Sequence, residues 1–137
     1  MPILTDTSVL LAAAITRETR HADAAAALGI NAQDGVAVPV TILTETLCFA
    51  RTRYGIDRHR RLWDGISASG IEVITVGPEI LKRAREIESK YADVGFGFAD
   101  CTLLATCEEL RTARVLSFDR RLAVYKPSFA PALEVLP

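Results

Sequence analysis

Four acidic residues stand in settings unlike those of the chain's other carboxylates. Asp6 closes a short apolar run, Ile3-Leu4-Thr5, and precedes a helix-forming stretch from Val9 to Ile15. Asp119 repeats that arrangement after Val115-Leu-Ser-Phe118. Glu45 and Asp100 fall instead within helical stretches, beside apolar rows. Taken singly, each acid has an ordinary explanation. Asp6 and Asp119 can cap the helices that follow them. Asp100, in the first turn of its helix, suits the helix dipole.

Taken together, the four suggest a site. Carboxylates gathered in one place repel, by roughly 4 kcal/mol for a pair ~4 Å apart at an effective dielectric near 20. A divalent cation reverses that sign. An oxygen-only set with no histidine or cysteine nearby suits Mg²⁺ or Mn²⁺ and suits zinc poorly. A metal held this way can orient a phosphate and activate water for in-line attack. Two neighbourhoods sharpen the expectation. Glu45 lies between Ile42 and Phe49 on one helical row, so its carboxylate is expected to be partly desolvated unless something pairs with it. Leu104 and Cys107 share the row of Asp100, which therefore points along an otherwise buried face.

The elements that must position these acids can be read from periodicity. Ile3–Asp6 is a strand, and Thr7 or Ser8 can cap the next helix. A second helix spans His21–Leu28, closed by Gly29. Val36–Pro39 is a strand. A helix over Val40–Tyr54 buries Leu43, Leu47, Ala50 and Tyr54, and Gly55 ends it. The next helix, Asp57–Ser69, turns Leu62, Trp63 and Ile66 inward. Ile71–Val76 is a strand. The helix opened by Gly77-Pro78 buries Ile80, Ala84, Ile87 and Tyr91. After a glycine-containing loop comes the helix Phe98–Leu110. Val115–Phe118 and Leu133–Leu136 complete the strands, with one helical turn at Asp119–Val124. Short apolar strands alternating with helices predict an α/β fold: a central, mostly parallel sheet with helices on both faces, in three layers. Parallel strands present their carboxyl ends along one edge, where such sheets bind ligands.

Composition narrows the class further. The length suits one domain, residues 1–137, with no linker or internal repeat. Half the residues are hydrophobic and the formal net charge is −1. Nucleic-acid binding would therefore need a local patch or a metal. Cys48, Cys101 and Cys107 have no CxxC spacing and read as buried free thiols of a reducing cytoplasm. The apolar run Val9–Ile15 is too short to span a membrane, and Asp6 ahead of it opposes a signal-peptide reading.

The motifs carry a family resemblance. Asp6-Thr-Ser, Glu45 within Thr-Glu-Thr-Leu, Phe98-Ala-Asp100-Cys-Thr-Leu-Leu-Ala and Ser117-Phe-Asp119-Arg resemble, in that order, the PIN domain. With the closing Leu-Glu-Val-Leu-Pro they look most like VapC-type toxins of bacterial toxin–antitoxin modules. The resemblance covers essentially the whole chain. It implies a Rossmann-like PIN fold and a Mg²⁺-dependent endoribonuclease, homodimeric and silenced by a cognate antitoxin. Asp6, Glu45, Asp100 and Asp119 match the acidic quartet, serving as metal ligands and catalytic groups. Thr7, Ser8 and Ser117 match supporting hydroxyls. Cys101 departs mildly from the alanine the family often has there, and Asp93 is a nearby fifth acid in a loop-stabilising position.

Arg51, Arg53, Arg58, Arg60 and Arg61 form the densest basic stretch, opposed only by Asp57. The run could contact RNA phosphates, meet the partner protein or form a solvated helix face. His21 and His59 stand alone among helical polar residues and suggest no chemistry. Two rivals share the fold: a catalytically silent RNA- or protein-binding module, and another Rossmann-like Mg²⁺-dependent phosphate hydrolase. No acid of the quartet is lost, which disfavours the first. Aspartyl-phosphate enzymes of the second kind expect Asp-x-Asp after the first strand, where this chain has Ser8.

Overall fold

The computed structural model describes residues 2–137. Five short strands alternate with helices: β1 (Ile3–Thr5), α1 (Thr7–Ala14), α2 (His21–Asn31), β2 (Val36–Pro39), α3 (Val40–Tyr54), α4 (Ile56–Ala68), β3 (Glu72–Ile74), α5 (Pro78–Lys90), α6 (Phe98–Leu110), β4 (Arg114–Leu116) and β5 (Glu134–Leu136). A 3₁₀ turn, Arg120–Val124, lies between the last two strands. The strands form one sheet in the order β3-β2-β1-β4-β5, and every pairing is parallel.

That order places β1 at the centre. From β1 the chain steps outward through β2 to β3, then returns to add β4 and β5 on the other side. The direction of winding therefore reverses between β1 and β4, and the connections leave a crevice beyond their carboxyl ends.

Side-chain alternation splits the core into two layers. Leu4 and Val115 enter the larger cluster with Ile42, Ile80, Ala84, Ile87, Leu103 and Leu104 from α3, α5 and α6. Ile3, Val36 and Leu116 point the other way, onto Val9, Ala12, Ala24 and Ala27 of α1 and α2. Leu47, Ala50, Leu62 and Ile66 make a third, smaller cluster that holds α4 against α3. The link between α3 and α4 is the single residue Gly55, at φ +93°, a conformation that a side chain strains.

Several sequence expectations need correction. The helix expected to close at Gly29 continues to Asn31, whose side-chain amide donates to the Ala27 carbonyl at 2.8 Å. The strand expected over Ile71–Val76 pairs only at Glu72–Ile74, because β3 is a solvent-facing edge with one neighbour. Trp63 faces outward, 54% exposed, with its ring edge-on to His59. Its row on α4 lies beyond the narrow stripe that Leu62 and Ile66 use against α3. Cys48 is exposed on α3, whereas Cys101 and Cys107 are buried. His21 and His59 both serve packing, each through Nδ1 against a backbone carbonyl, of Ala12 and Leu47 respectively.

Burial predicts contrasting mutational costs. Leu104→Ala empties a fully buried site and should cost about 3 kcal/mol in chemical denaturation. Trp63→Ala should cost less than about 1 kcal/mol. Equal losses would place Trp63 in the core after all.

Candidate functional site

Asp6 leaves the carboxyl end of β1 and caps α1, so the capping residue is Asp6 itself rather than Thr7 or Ser8. Asp6 is 5% exposed. Oδ1 accepts from Ser8 Oγ at 2.7 Å and from the Val9 amide at 3.2 Å. Oδ2 accepts a short hydrogen bond from Ser117 Oγ, at the end of β4. The Ser117 hydroxyl in turn accepts from the Asp119 amide at 2.9 Å, and Ser8 Oγ accepts from the Phe118 amide at 3.0 Å. Two serines thus stitch the carboxyl ends of β1 and β4 together around one acid. Burial raises the Asp6 pKa above the ordinary carboxylate range against these donors, and the charge on Asp100 pushes the same way.

Asp100 sits in the first turn of α6, just ahead of a run buried at every position from Cys101 to Cys107. Its Oδ2 accepts from the Gly97 amide at 3.3 Å and closes the helix end. Its pKa is also raised, by burial first and further by the charges of Asp119 and Glu45. Asp119 behaves oppositely. Arg121, two residues on, folds back around the 3₁₀ turn and grips it: Nε lies 3.0 Å from Oδ1 and Nη2 lies 2.7 Å from Oδ2. That contact holds Asp119 below the usual carboxylate range. The same Nη2 reaches to 3.7 Å from Asp100 Oδ2.

Glu45 corrects the expectation of desolvation. It is exposed on α3, and Phe49 beside it is 43% exposed. Thr7 Oγ1 donates to its Oε2 at 2.6 Å, and Thr46 supports Thr7 from below at 3.2 Å. The row from Ile42 to Phe49 turns from the core to the surface, which a helical wheel alone cannot display.

All four acids line one open cleft of about 540 Å³, together with Thr7 and Ser8. Asp93 is exposed in the turn after α5 and does not line it. The basic run divides. Arg53 reaches the acidic cleft, whereas Arg58 and Arg61 line a separate groove of about 430 Å³ among α1, α2 and α4. Arg51 and Arg60 are exposed and line neither. Arg121 was not singled out from sequence. The signal was present, as an arginine two positions after a strand-terminal acid, but only the tight turn makes the pair meet.

Among the described residues no three carboxylates, histidines or cysteines converge as a ready cage for an ion. The donor set nevertheless fits a hard cation. It is all oxygen, and its two most buried members are destabilised in their charged forms by burial and by neighbouring acids. Mg²⁺ typically takes only one or two carboxylates and fills its shell with water and substrate phosphate.

A parallel α/β sheet with acids from four elements over its winding-reversal crevice has the architecture of open α/β domains that bind ligands at that crevice. The sequence profile of the PIN domain matches residues 3–126, and the chain belongs to that family. It is 28% identical over 119 residues to ribonuclease VapC26 of Mycobacterium tuberculosis, an alignment covering 87% of each chain. Its fold is similar to M. tuberculosis VapC20, a Sarcin-Ricin loop cleaving toxin, with a TM-score of 0.82 and 19% identity over 94% of this chain and 98% of that one. It is also similar to a chain of VapBC2 from Rickettsia felis bound to a promoter DNA fragment. There the TM-score is 0.68 and the identity 14%, over 87% of this chain and 88% of the other.

The buried Asp6 charge has a measurable consequence. Its folded pKa lies above the unfolded value, so its favourable contribution exists below the ordinary carboxylate range and is lost as pH rises through the raised pKa. At neutral pH without divalent ions, Asp6→Asn should therefore raise Tm by a few degrees. The difference from wild type should shrink as pH falls through the raised pKa and be gone below about 4. A variant less stable than wild type at pH 7 would show that the serine donors outweigh burial.

Proposed function

We propose that this chain is a Mg²⁺- or Mn²⁺-dependent endoribonuclease of the VapC type, the toxin of a cytoplasmic toxin–antitoxin module. The carrying observation is the convergence of Asp6, Glu45, Asp100 and Asp119 on the crevice between β1 and β4. The likeness to a named ribonuclease over most of both chains supports the choice of RNA. The likeness to a chain of VapBC2 supports a cognate antitoxin as partner, and the family resemblance supports a homodimer. Among the described residues no helix is long and apolar enough to cross a membrane.

Asp6, Asp100 and Asp119 would hold the ion, with Glu45 completing the site directly or through water. When bound, the ion supplies Lewis-acid polarisation of the phosphate and a more acidic water. The chain's own residues do the positioning. Ser8, Ser117 and the Val9 amide fix the Asp6 carboxylate in one rotamer. The Gly97 amide does the same for Asp100. Thr7 holds Glu45 by one oxygen, leaving the other available to orient the attacking water. Hydrolysis adds that water across the P–O3′ bond, leaving 5′-phosphate and 3′-hydroxyl ends.

The direct test is purified toxin, freed of antitoxin, with total RNA and Mg²⁺ or EDTA. Asp6→Ala should lower cleavage on the order of 10²–10³-fold or more, and EDTA should abolish it. Ends bearing 2′,3′-cyclic phosphate would mean attack by the ribose hydroxyl instead. Release of phosphate from small monoesters with RNA untouched would favour the phosphatase alternative.

Arg121 presently neutralises Asp119 where the ion would. Arg121→Gln should bind Mn²⁺ about fivefold more tightly by calorimetry, the effect of about 1 kcal/mol of exposed ion pairing. Unchanged affinity would mean that the guanidinium and the ion do not compete. In the separate groove, Arg58 and Arg61 flank Leu10, Ile15, Leu62 and Ile66, a mixture that fits an acidic, apolar segment of the antitoxin. Arg58→Glu with Arg61→Glu should weaken antitoxin binding at least about tenfold and leave RNA cleavage intact. Lost cleavage with intact antitoxin binding would reassign this pair to RNA.

A further inference from the structure

The acidic cleft has a second kind of lining that the hydrolytic chemistry does not use. One wall is built from the loop between α1 and α2, the last turns of α3, and Phe118 beyond β4. There the arginines lie against aromatic rings. The Arg20 guanidinium lies 4.6 Å from the Phe118 ring centre. Arg53 lies 5.6 Å from the Phe49 ring centre and 5.8 Å from that of Tyr54, and Arg17 lies 5.7 Å from that of Tyr54. The Tyr54 hydroxyl donates to Glu18, tying the loop to the end of α3. Phe49 stays 43% exposed although it lines the cleft. Elsewhere Tyr91 packs on Phe96 and on Tyr125 near the end of α5.

An arginine resting on a ring presents two things at once. The guanidinium edge keeps its N–H donors for phosphate, and its outer face, like an exposed ring, accepts a stacked base. Repeated along a cleft, this is the chemistry of single-strand binding, in which phosphates track positive charge and bases stack on aromatic platforms. A base inside an A-form helix has no free face to offer, so such a wall discriminates against duplex.

We propose that Arg20 with Phe118, and Phe49 with Arg53 and Tyr54, form a base-stacking ledge. It selects unpaired RNA and clamps the nucleotides beside the phosphate presented to the four acids. The ledge rests on the ribonuclease reading for its ligand, but its test reads binding rather than cleavage. The binding protein is Asp6→Asn in Mg²⁺, which retains the wall and removes hydrolysis. The probe is an unpaired decamer RNA carrying one 2-aminopurine, compared with the same strand annealed to its complement.

The decamer should bind at least about tenfold more tightly than the duplex, with 2-aminopurine fluorescence quenched by stacking. Phe49→Ala should lose about tenfold in affinity and relieve the quench, and Phe49→Tyr should retain both. Arg20→Ala should also reduce the salt slope of binding by about one unit. Equal binding of duplex and single strand, or full quenching in Phe49→Ala, would overturn the ledge while leaving ribonuclease activity standing. Phe49→Ala that weakens only antitoxin binding would overturn it in favour of a protein contact. Failure of wild-type protein to cleave any RNA would instead remove the ribonuclease reading.

Discussion

The site depends on one buried carboxylate. Asp6 is nearly sealed from solvent, yet each of its oxygens has a hydrogen-bond donor. An ionised carboxylate in that position without donors would be strongly unfavourable. The donors come from two places far apart in sequence, Ser8 and Val9 at the start of α1 and Ser117 at the end of β4. Satisfying one acid therefore fixes how two neighbouring strands end. The backbone bond from the Asp6 amide to the Leu116 carbonyl continues the same seam. The same knot places Asp119, because its amide is bonded to Ser117 Oγ.

The sheet supplies the rest of the geometry. With every strand parallel, each turn at a carboxyl end opens onto one edge. The reversal of winding between β1 and β4 keeps that part of the edge clear of crossing chain. Around it α3 brings Glu45 and α6 brings Asp100 from the larger core layer. Negative charge accumulates as a result, and the molecule responds in three ways. Burial pushes Asp6 and Asp100 toward their neutral forms. Thr7 binds Glu45, and Arg121 supplies a positive charge to Asp119.

The cleft thus has unlike walls. Its floor is carboxylate, which suits the proposed metal and phosphate. Its flank is guanidinium and aromatic ring, which suits the proposed stacking of nucleotides. A near-neutral protein can bind a polyanion this way, because local charge at short range matters more than the net value of −1. The groove containing Arg58 and Arg61 shares no lining residue with the cleft. A single basic stretch in sequence therefore serves two surfaces, since α3 and α4 leave Gly55 in different directions.

The sequence by itself determined the layered parallel α/β architecture, because periodicity and strand length are local properties of the chain. It also singled out Asp6, Glu45, Asp100 and Asp119, whose strand-end or helix-row positions are visible one residue at a time. It misjudged residues whose environment depends on a partner element. Trp63 and Phe49 are apolar on helical rows, yet α4 and α3 are covered along narrower stripes than their wheels suggest. Gly29 looked like a helix end, but an asparagine bonded back to Ala27 carries the helix on. Only the tertiary structure decided which donor belongs to which acid. Ser117 and Asp6 are 111 residues apart, and Thr7 and Glu45 are 38 apart. Arg121 and Asp119 are near neighbours whose pairing needs the 3₁₀ turn. Hydrogen bonding and desolvation act over a few ångströms in space, and no pattern along the chain encodes which distant atoms will share them.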